Sequence, residues 1–407
     1  MVLELLDRIW STRRKGTKVG AHRRMAIRRA VAAVRPRATR TVLDEMLHLA
    51  VPGADPTPEA LQALNRYAVR LQYESEFRLA SHVYAMVIDY ATQIDHHELV
   101  PEAYRGHGRC MAERGDARAA MASYAAAMTV ATQRRDKREQ IRIAIAQSAL
   151  HRARGNPNDA RKLLDPLLRR ARTLGDEELQ MRAGHERGLV SHLLDDEKEA
   201  LLYYAEAFRH CDDAKHRGRL LNDIALSLQA LGYGDDARNT WFVSWLVTTG
   251  DSGARWTAGI NLLQHTHARG DETGFDQYRR ALGRAPMPAR LLVAYWLEVG
   301  YGSIVFDRPS DAAVAFNRAA RYAARYGYLE KWKEAKRALR GQLPVRQPQT
   351  PPASLPAAAA DLLTKVRALR SLPGLLGRAW SGDANATPVA SLRTALPRGR
   401  RPRSVVT

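Results

Sequence analysis

Histidine pairs and two cysteines are the residues here best suited to chemistry, and their spacing argues against it. His96 and His97 are adjacent and point in different directions. His185 and His192 lie seven apart on one helical pattern, too wide for a metal pair without a third ligand. His265 and His267, at i and i+2, do not face each other on a helix. No His-Glu-x-x-His occurs, and Cys110 and Cys211 are far apart with no cysteine nearby. There is no P-loop and no Gly-x-Gly-x-x-Gly; GLLGRAW at 374–380 lacks a preceding strand. Asp195–Asp196 and Asp212–Asp213 read as helix-end residues. No residue is assigned as nucleophile, general base or metal ligand, and the expectation is no enzyme, no metal and no cofactor.

The elements behind these residues recur with a period of 37 to 40. Ala80, Ala120, Ala160, Ala200, Ala237, Gly274 and Ala312 are small, and four residues after each comes Tyr84, Tyr124, Leu164, Tyr204, Trp241, Tyr278 or Phe316. Twelve residues before each stands Ala68, Gly108, Ser148, Gly188, Ala225, Leu262 or Gly300. Small residues let two antiparallel helices approach, and the bulky residue fills the space between them. One pair cannot bury its apolar stripe alone, so stacking supplies the core. Seven helix-turn-helix units are expected, at about 61–97, 101–136, 141–175, 181–213, 218–250, 255–287 and 293–327. The sixth and seventh fit least well. The recurring aromatics are expected in the core rather than as base-stacking platforms.

The turns agree. ERGDARA, ARGNPNDA, LDDEKEA and LGYGDDA stand inside units, and LGDEE at 174–178 and TGDSG at 249–253 stand between them. Glycine accepts the left-handed conformation that ends a helix, and aspartate caps the next one. Pro58, after Thr57 and before Glu59, opens the array. Residues 1–57 read as a basic helical extension, including an amphipathic 1–12 and a helix over 21–35. Residues 58–340 read as the array plus a capping helix, 341–360 as a Pro/Ala-rich linker, and 361–407 as a short helix and a basic, mostly disordered tail. Leu362, Leu363, Val366 and Leu369 give that helix one apolar side, able to dock on the array or on a partner.

The chain carries a net charge of +21. Residues 8–43 hold twelve Lys/Arg and no acid, and 341–407 hold ten against two, so the excess lies mostly at the ends. Basic ends suit nucleic acid or an anionic surface through Coulomb attraction, and equally serve solubility. Tyr322, Tyr326, Tyr328 and Trp332 cluster beside Arg321, Arg325, Lys331 and Lys333 and are a second candidate contact for RNA or peptide. Two cysteines make no disulfide framework, the start MVLELLDRIW lacks a signal-peptide run, and no apolar run reaches membrane-spanning length. The expected setting is cytoplasmic.

Residues 103–128, AYRGHGRCMAERGDARAAMASYAAAM, and 219–241, RLLNDIALSLQALGYGDDARNTW, resemble the tetratricopeptide repeat family, with units longer than the usual ones, as in its long-helix bacterial variant among regulatory proteins. In the second segment Leu221, Ala225, Gly232 and Ala237 match packing and turn positions. The resemblance covers residues 61 to about 327. It implies an all-α, right-handed superhelical solenoid of antiparallel helix pairs, whose first helices line a concave groove for a peptide or a partner helix. Carried over by register, the groove positions include Asn65, Arg66, Val69, Glu102, Arg105 and Arg109. Further along they include Arg142, Arg182, His185, His192, Arg219, Asn222 and Gln229. Asn222 stands where the family's asparagine often bonds a ligand backbone. Arg142, Arg182 and Arg219 share one register, and stacked guanidinium groups suit carboxylates or phosphates. The alternative is that neighbours such as Glu186 and Asp223 neutralise them.

The function expected is a non-enzymatic, protein- or peptide-binding scaffold or regulatory module with a partner of acidic character. The alternative is a transcription regulator or nucleic-acid-associated protein with a basic N-terminus and the repeats as sensor.

Overall fold

The computed structural model describes residues 21–33, 40–41, 43–44, 57–74, 76–248, 253–343 and 354–370. The expectations for 1–12, for TGDSG, and for 371–407 with its GLLGRAW lie outside the described residues, as does most of the linker. The chain divides into two compact units, Met1–Arg154 and Gly155–Thr407. The division falls in the turn of the third expected repeat, so that repeat's first helix closes one unit and its second opens the other.

The N-terminal unit contains α1 (Ala21–Ala32), α2 (Pro58–Tyr73), α3 (Phe77–Gln93), α4 (Val100–Glu113), α5 (Ala117–Gln133) and α6 (Lys137–Ala153). The C-terminal unit contains α7 (Pro157–Thr173), α8 (Glu177–Leu193), α9 (Glu197–Arg209), α10 (Ala214–Ala230), α11 (Gly234–Val247) and α12 (Gly253–Arg269). It continues through α13 (Glu272–Gly283), α14 (Ala289–Val305), α15 (Pro309–Tyr326), α16 (Leu329–Leu339) and α17 (Ala357–Arg370). Within each unit consecutive helices pack as pairs, and first helices of successive repeats also touch: α2 on α4, α4 on α6, α8 on α10, α10 on α12, α12 on α14. No strand occurs among the described residues. This is an all-α, tetratricopeptide-like array of helix pairs.

Local chemistry explains the punctuation. Gly115 has φ +83° and Gly232 has φ +87°, a conformation that side chains resist. Asp116, Asp136, Asp176, Asp196, Asp213 and Asp271 each accept a hydrogen bond from the backbone N–H three residues on. Arg135 and Asp195 take the left-handed position without being glycine, at φ 57° and 58°.

The small residues Ala80, Ala120, Ala200 and Ala237 are fully buried. Tyr124, Tyr204 and Phe316 lie against Gly108, Gly188 and Gly300 of their own first helices. A Cβ on Gly108 would sit 2.6 Å from the Tyr124 ring, inside van der Waals contact. In the sixth repeat the register slips by one. Asp271 caps α13, so Phe275 rather than Gly274 takes the position four residues after the cap, and it is fully buried.

The last helix begins at Ala357, four residues before Asp361, because Pro356 precedes a run of alanines with the highest helix propensity. It packs against α9 and α11. Ala359, Leu362, Leu363 and Val366 are buried in one cluster with Leu201 and Ala205 of α9 and Trp241 of α11. Arg367 donates two hydrogen bonds to the Asp236 carboxylate, at 2.8 and 2.7 Å, and Lys198 Nζ donates to Ser354 Oγ at 3.0 Å.

Candidate functional site

The first helices carry the residues assigned to the groove, and many of them tie one repeat to the next. In the N-terminal unit, Asn65 on α2 is 6% exposed and donates through Nδ2 to Glu102 Oε1 on α4 at 3.2 Å. Arg105 Nε donates to Glu139 Oε1 on α6 at 2.6 Å, and Arg142 Nη1 lies 3.5 Å from Glu139 Oε2. Glu139 is buried, so two guanidinium groups share the charge it brings inside. Arg66, Val69 and Arg109 are exposed on the same helices.

The C-terminal unit repeats the arrangement. His185 Nε2 on α8 is hydrogen-bonded to Asp223 Oδ2 on α10 at 2.6 Å, with its ring edge-on to Tyr204. Asn222, 3% exposed, donates to Ala254 O at 2.9 Å. Further along, His267 Nε2 meets Glu298 Oε2 at 2.9 Å. Helical spacing places Arg182, His185, Leu189 and His192 on one line of α8. They are half-buried, while Arg219, Leu226 and Gln229 on the adjoining α10 are exposed.

Two assigned arginines lie on adjoining helices. Arg182 donates from Nε to Glu178 Oε1 at 2.8 Å. His216, at the start of α10, is bonded through Nδ1 to Asp213 Oδ2 at 2.7 Å. Its proton affinity is lowered, first by burial, then by the positive charge of Arg182, with Arg219 adding to it and the bond to Asp213 opposing. Arg182 and Arg219 thus both oppose a second proton on this imidazole. His192 is shifted the other way, first by its hydrogen bond to Glu197.

Among the described residues, no comparable arrangement for bond-making chemistry is found. Burial pushes the Cys110 and Cys211 thiols up to about 11, which suppresses the reactive thiolate. His107 Nδ1 meets Ser123 Oγ at 2.9 Å, but that hydroxyl also donates to Ala119 O, and burial lowers the imidazole's basicity. No three His, Cys, Asp or Glu side chains converge as a metal set among the described residues. No described helix is long and apolar enough to cross a membrane.

The aromatic group near the end divides between two helices. Tyr322 and Tyr326 lie on α15 and Trp332 on α16, with left-handed Gly327 between, at φ 77°. Arg325 stacks over Tyr326 at 5.6 Å from the ring centre.

Two features escaped the sequence. One is Arg187 on α8, 1% exposed. It donates to Asp165 Oδ1 on α7 at 2.9 Å, to Ser191 Oγ at 2.6 Å, and to both Glu199 oxygens on α9. Its charged partners lie 12 and 22 residues away, at no helical spacing. The other is the seat of α17, whose apolar stripe was legible while its Asp236 partner, 131 residues away, was not.

No family model matches this chain, and no curated protein matches it. Among solved structures, the crystal structure of BtubC (BKLC) from P. vanneervenii is similar at 17% identity and a TM-score of 0.32, covering 73% of this chain and 98% of that one. A superposition at that level carries no argument about this chain.

Proposed function

We propose that the array is a non-enzymatic scaffold that binds a protein segment of acidic character along its first-helix face. The observation that carries this reading is that Arg182 and Arg219 occupy one register on the two first helices α8 and α10, which pack against each other. Exposed Leu226 and Gln229 continue the face along α10. Guanidinium groups held by a rigid pair of helices suit carboxylates, and the ordering entropy is met by the fold rather than at binding. The His185–Asp223 bond fixes the spacing of the two helices that present them.

The test is titration of a fluorescent oligo-glutamate peptide into the wild-type chain and the Arg182→Glu/Arg219→Glu variant. The expected result is salt-sensitive binding that weakens by at least about tenfold in the variant, with oligo-lysine binding neither. Unchanged binding in the variant contradicts the reading. Tight binding of duplex DNA, indifferent to the two reversals and removed with residues 1–50, would favour the nucleic-acid alternative.

A further inference from the structure

The last helix of a stacked array has no following repeat to cover it, and a polar outer face keeps such an end in water. α16 packs on α15 through Ala335 and Ala338, which are buried. Its opposite face departs from the polar rule. Leu329 is 59% exposed, more than any other large hydrophobic side chain among the described residues. Trp332, one turn further on, and Tyr326, three residues earlier at the end of α15, are each 36% exposed.

The same end is strongly basic. Residues 321–343 hold seven Lys/Arg against two Glu. Both glutamates are held by lysines of α16 itself, Glu334 by Lys331 at 2.7 Å and Glu330 by Lys333 at 2.8 Å. Leu329, Lys333, Lys336 and Arg340 follow at i, i+4, i+7 and i+11, on the face away from Ala335 and Ala338. One line of the surface therefore runs from an aliphatic side chain through three cations over roughly 16 Å. A single carboxylate or phosphate is gripped by cations that converge on one point; cations strung along a helix suit a surface charged over its whole area. Bases of single-stranded nucleic acid stack on aromatic faces, but Leu329 offers none, and the Tyr326 ring already faces the Arg325 guanidinium. A bilayer carrying anionic lipid uses all these groups. Its phosphates take the lysines and arginines, the aromatic side chains settle at the headgroup level, and leucine enters the acyl boundary.

We infer that the end of the array formed by α16 and the last turn of α15 is a docking surface for an anionic lipid bilayer. The exposed side chains stand on a helix already packed against α15, so docking requires no refolding. With 11 residues, α16 is too short to cross a bilayer and lies in the plane of its interface. Few apolar side chains enter the lipid, so attachment is reversible and depends on the cations as well. Arg182 and Arg219 take no part in this surface, which stands apart from the acidic-segment reading.

The test is co-sedimentation of the full chain with vesicles of phosphatidylcholine containing about 30% phosphatidylserine, at roughly 0.15 M salt. The basic ends of the chain also attract anionic vesicles, so charge-matched variants are compared. Leu329→Glu/Trp332→Glu is set against Leu174→Glu/Leu202→Glu, which brings the same charge to two other exposed leucines. The first is expected to weaken vesicle binding at least about tenfold, the second no more than about threefold. Insertion is read separately. Brominated phosphatidylcholine in the same vesicles is expected to quench tryptophan fluorescence of the wild type, and Trp332→Phe to remove most of that quenching. Absence of vesicle binding, equal weakening by the two double variants, or quenching unchanged in Trp332→Phe each overturns the inference. So does retention of single-stranded RNA more tightly than of vesicles, lost in Leu329→Glu/Trp332→Glu and kept in the matched variant, which would make nucleic acid the ligand.

Discussion

The groove between α7 and α9 and the groove between α9 and α11 share one wall and one repeat geometry, yet they are filled in opposite ways. The first is closed by a guanidinium, Arg187, sequestered from solvent among two carboxylates, a hydroxyl and the Tyr203 ring. The second has Ile224 at the equivalent position and an apolar helix laid over it. The two grooves therefore differ at one register, nine residues before the cap of the following helix, with arginine in one and isoleucine in the other. The arginine ties the walls of the first groove together, and the isoleucine lies in the apolar cluster that the last helix joins.

The comparison breaks most visibly at Arg187. Arg187→Met leaves the charges of Asp165 and Glu199 facing each other in a half-buried groove. Removing one partner of a buried pair costs roughly 3–5 kcal/mol, and Asp165, 42% exposed on its side chain, places the loss toward the lower end. Urea unfolding is expected to show that loss in the C-terminal unit, and most of it should return in Arg187→Met/Asp165→Leu/Glu199→Leu.

Next in size is an acid effect in the same unit. His265 is 9% exposed beside Trp241, and burial first, then Arg269 and Arg238, pull its proton affinity down to about 4. The folded value lies below the unfolded one, so the neutral ring favours folding above about pH 6.5. That stability is lost as pH falls toward 4, by roughly 2–3 kcal/mol. His265→Gln is expected to flatten this part of the pH–stability curve, and an unchanged slope would remove His265 from the account.

A smaller effect is expected from carrying the closed groove into the open one. Ala85→Asp, His107→Arg and Ala119→Glu together place the Arg187 triad between α3 and α5. Desolvation offsets most of the Coulomb gain, so the triple variant should match wild type within about 1 kcal/mol. Each single charged variant should be less stable than the triple, a coupling that a mutant cycle measures. Smallest is Arg135→Gly, which relieves a left-handed backbone and is expected to stabilise the N-terminal unit by about 0.5–1 kcal/mol in the same unfolding assay.

The array itself was legible because its signals are local. Small residues at helical spacing, Gly–Asp turns and a repeating bulky position all lie within about forty residues, and the structure puts Ala120, Tyr124 and Asp116 in the packing and capping places those signals require. The sixth repeat misled because Gly274 imitates the small residue while the Asp271 cap sets Phe275 in its place. Asn65, Arg105, His185 and Asn222 stood out by register, but nothing local shows that each bonds to the following repeat. Arg187 and the α17 seat were illegible for a related reason. Asp165, the far partner of Arg187, comes from the preceding repeat, and Arg367 comes from beyond the array, so neither pairing leaves a periodic trace.

The most direct measurement is hydrogen exchange on the full chain with and without Leu363→Asp. If α9 and α11 fold without α17 laid over them, amides of 357–370 should exchange freely in the variant while those of α9 and α11 keep their protection. Loss of protection throughout α9 and α11 would contradict the account, because the seat would then exist only with α17 in it.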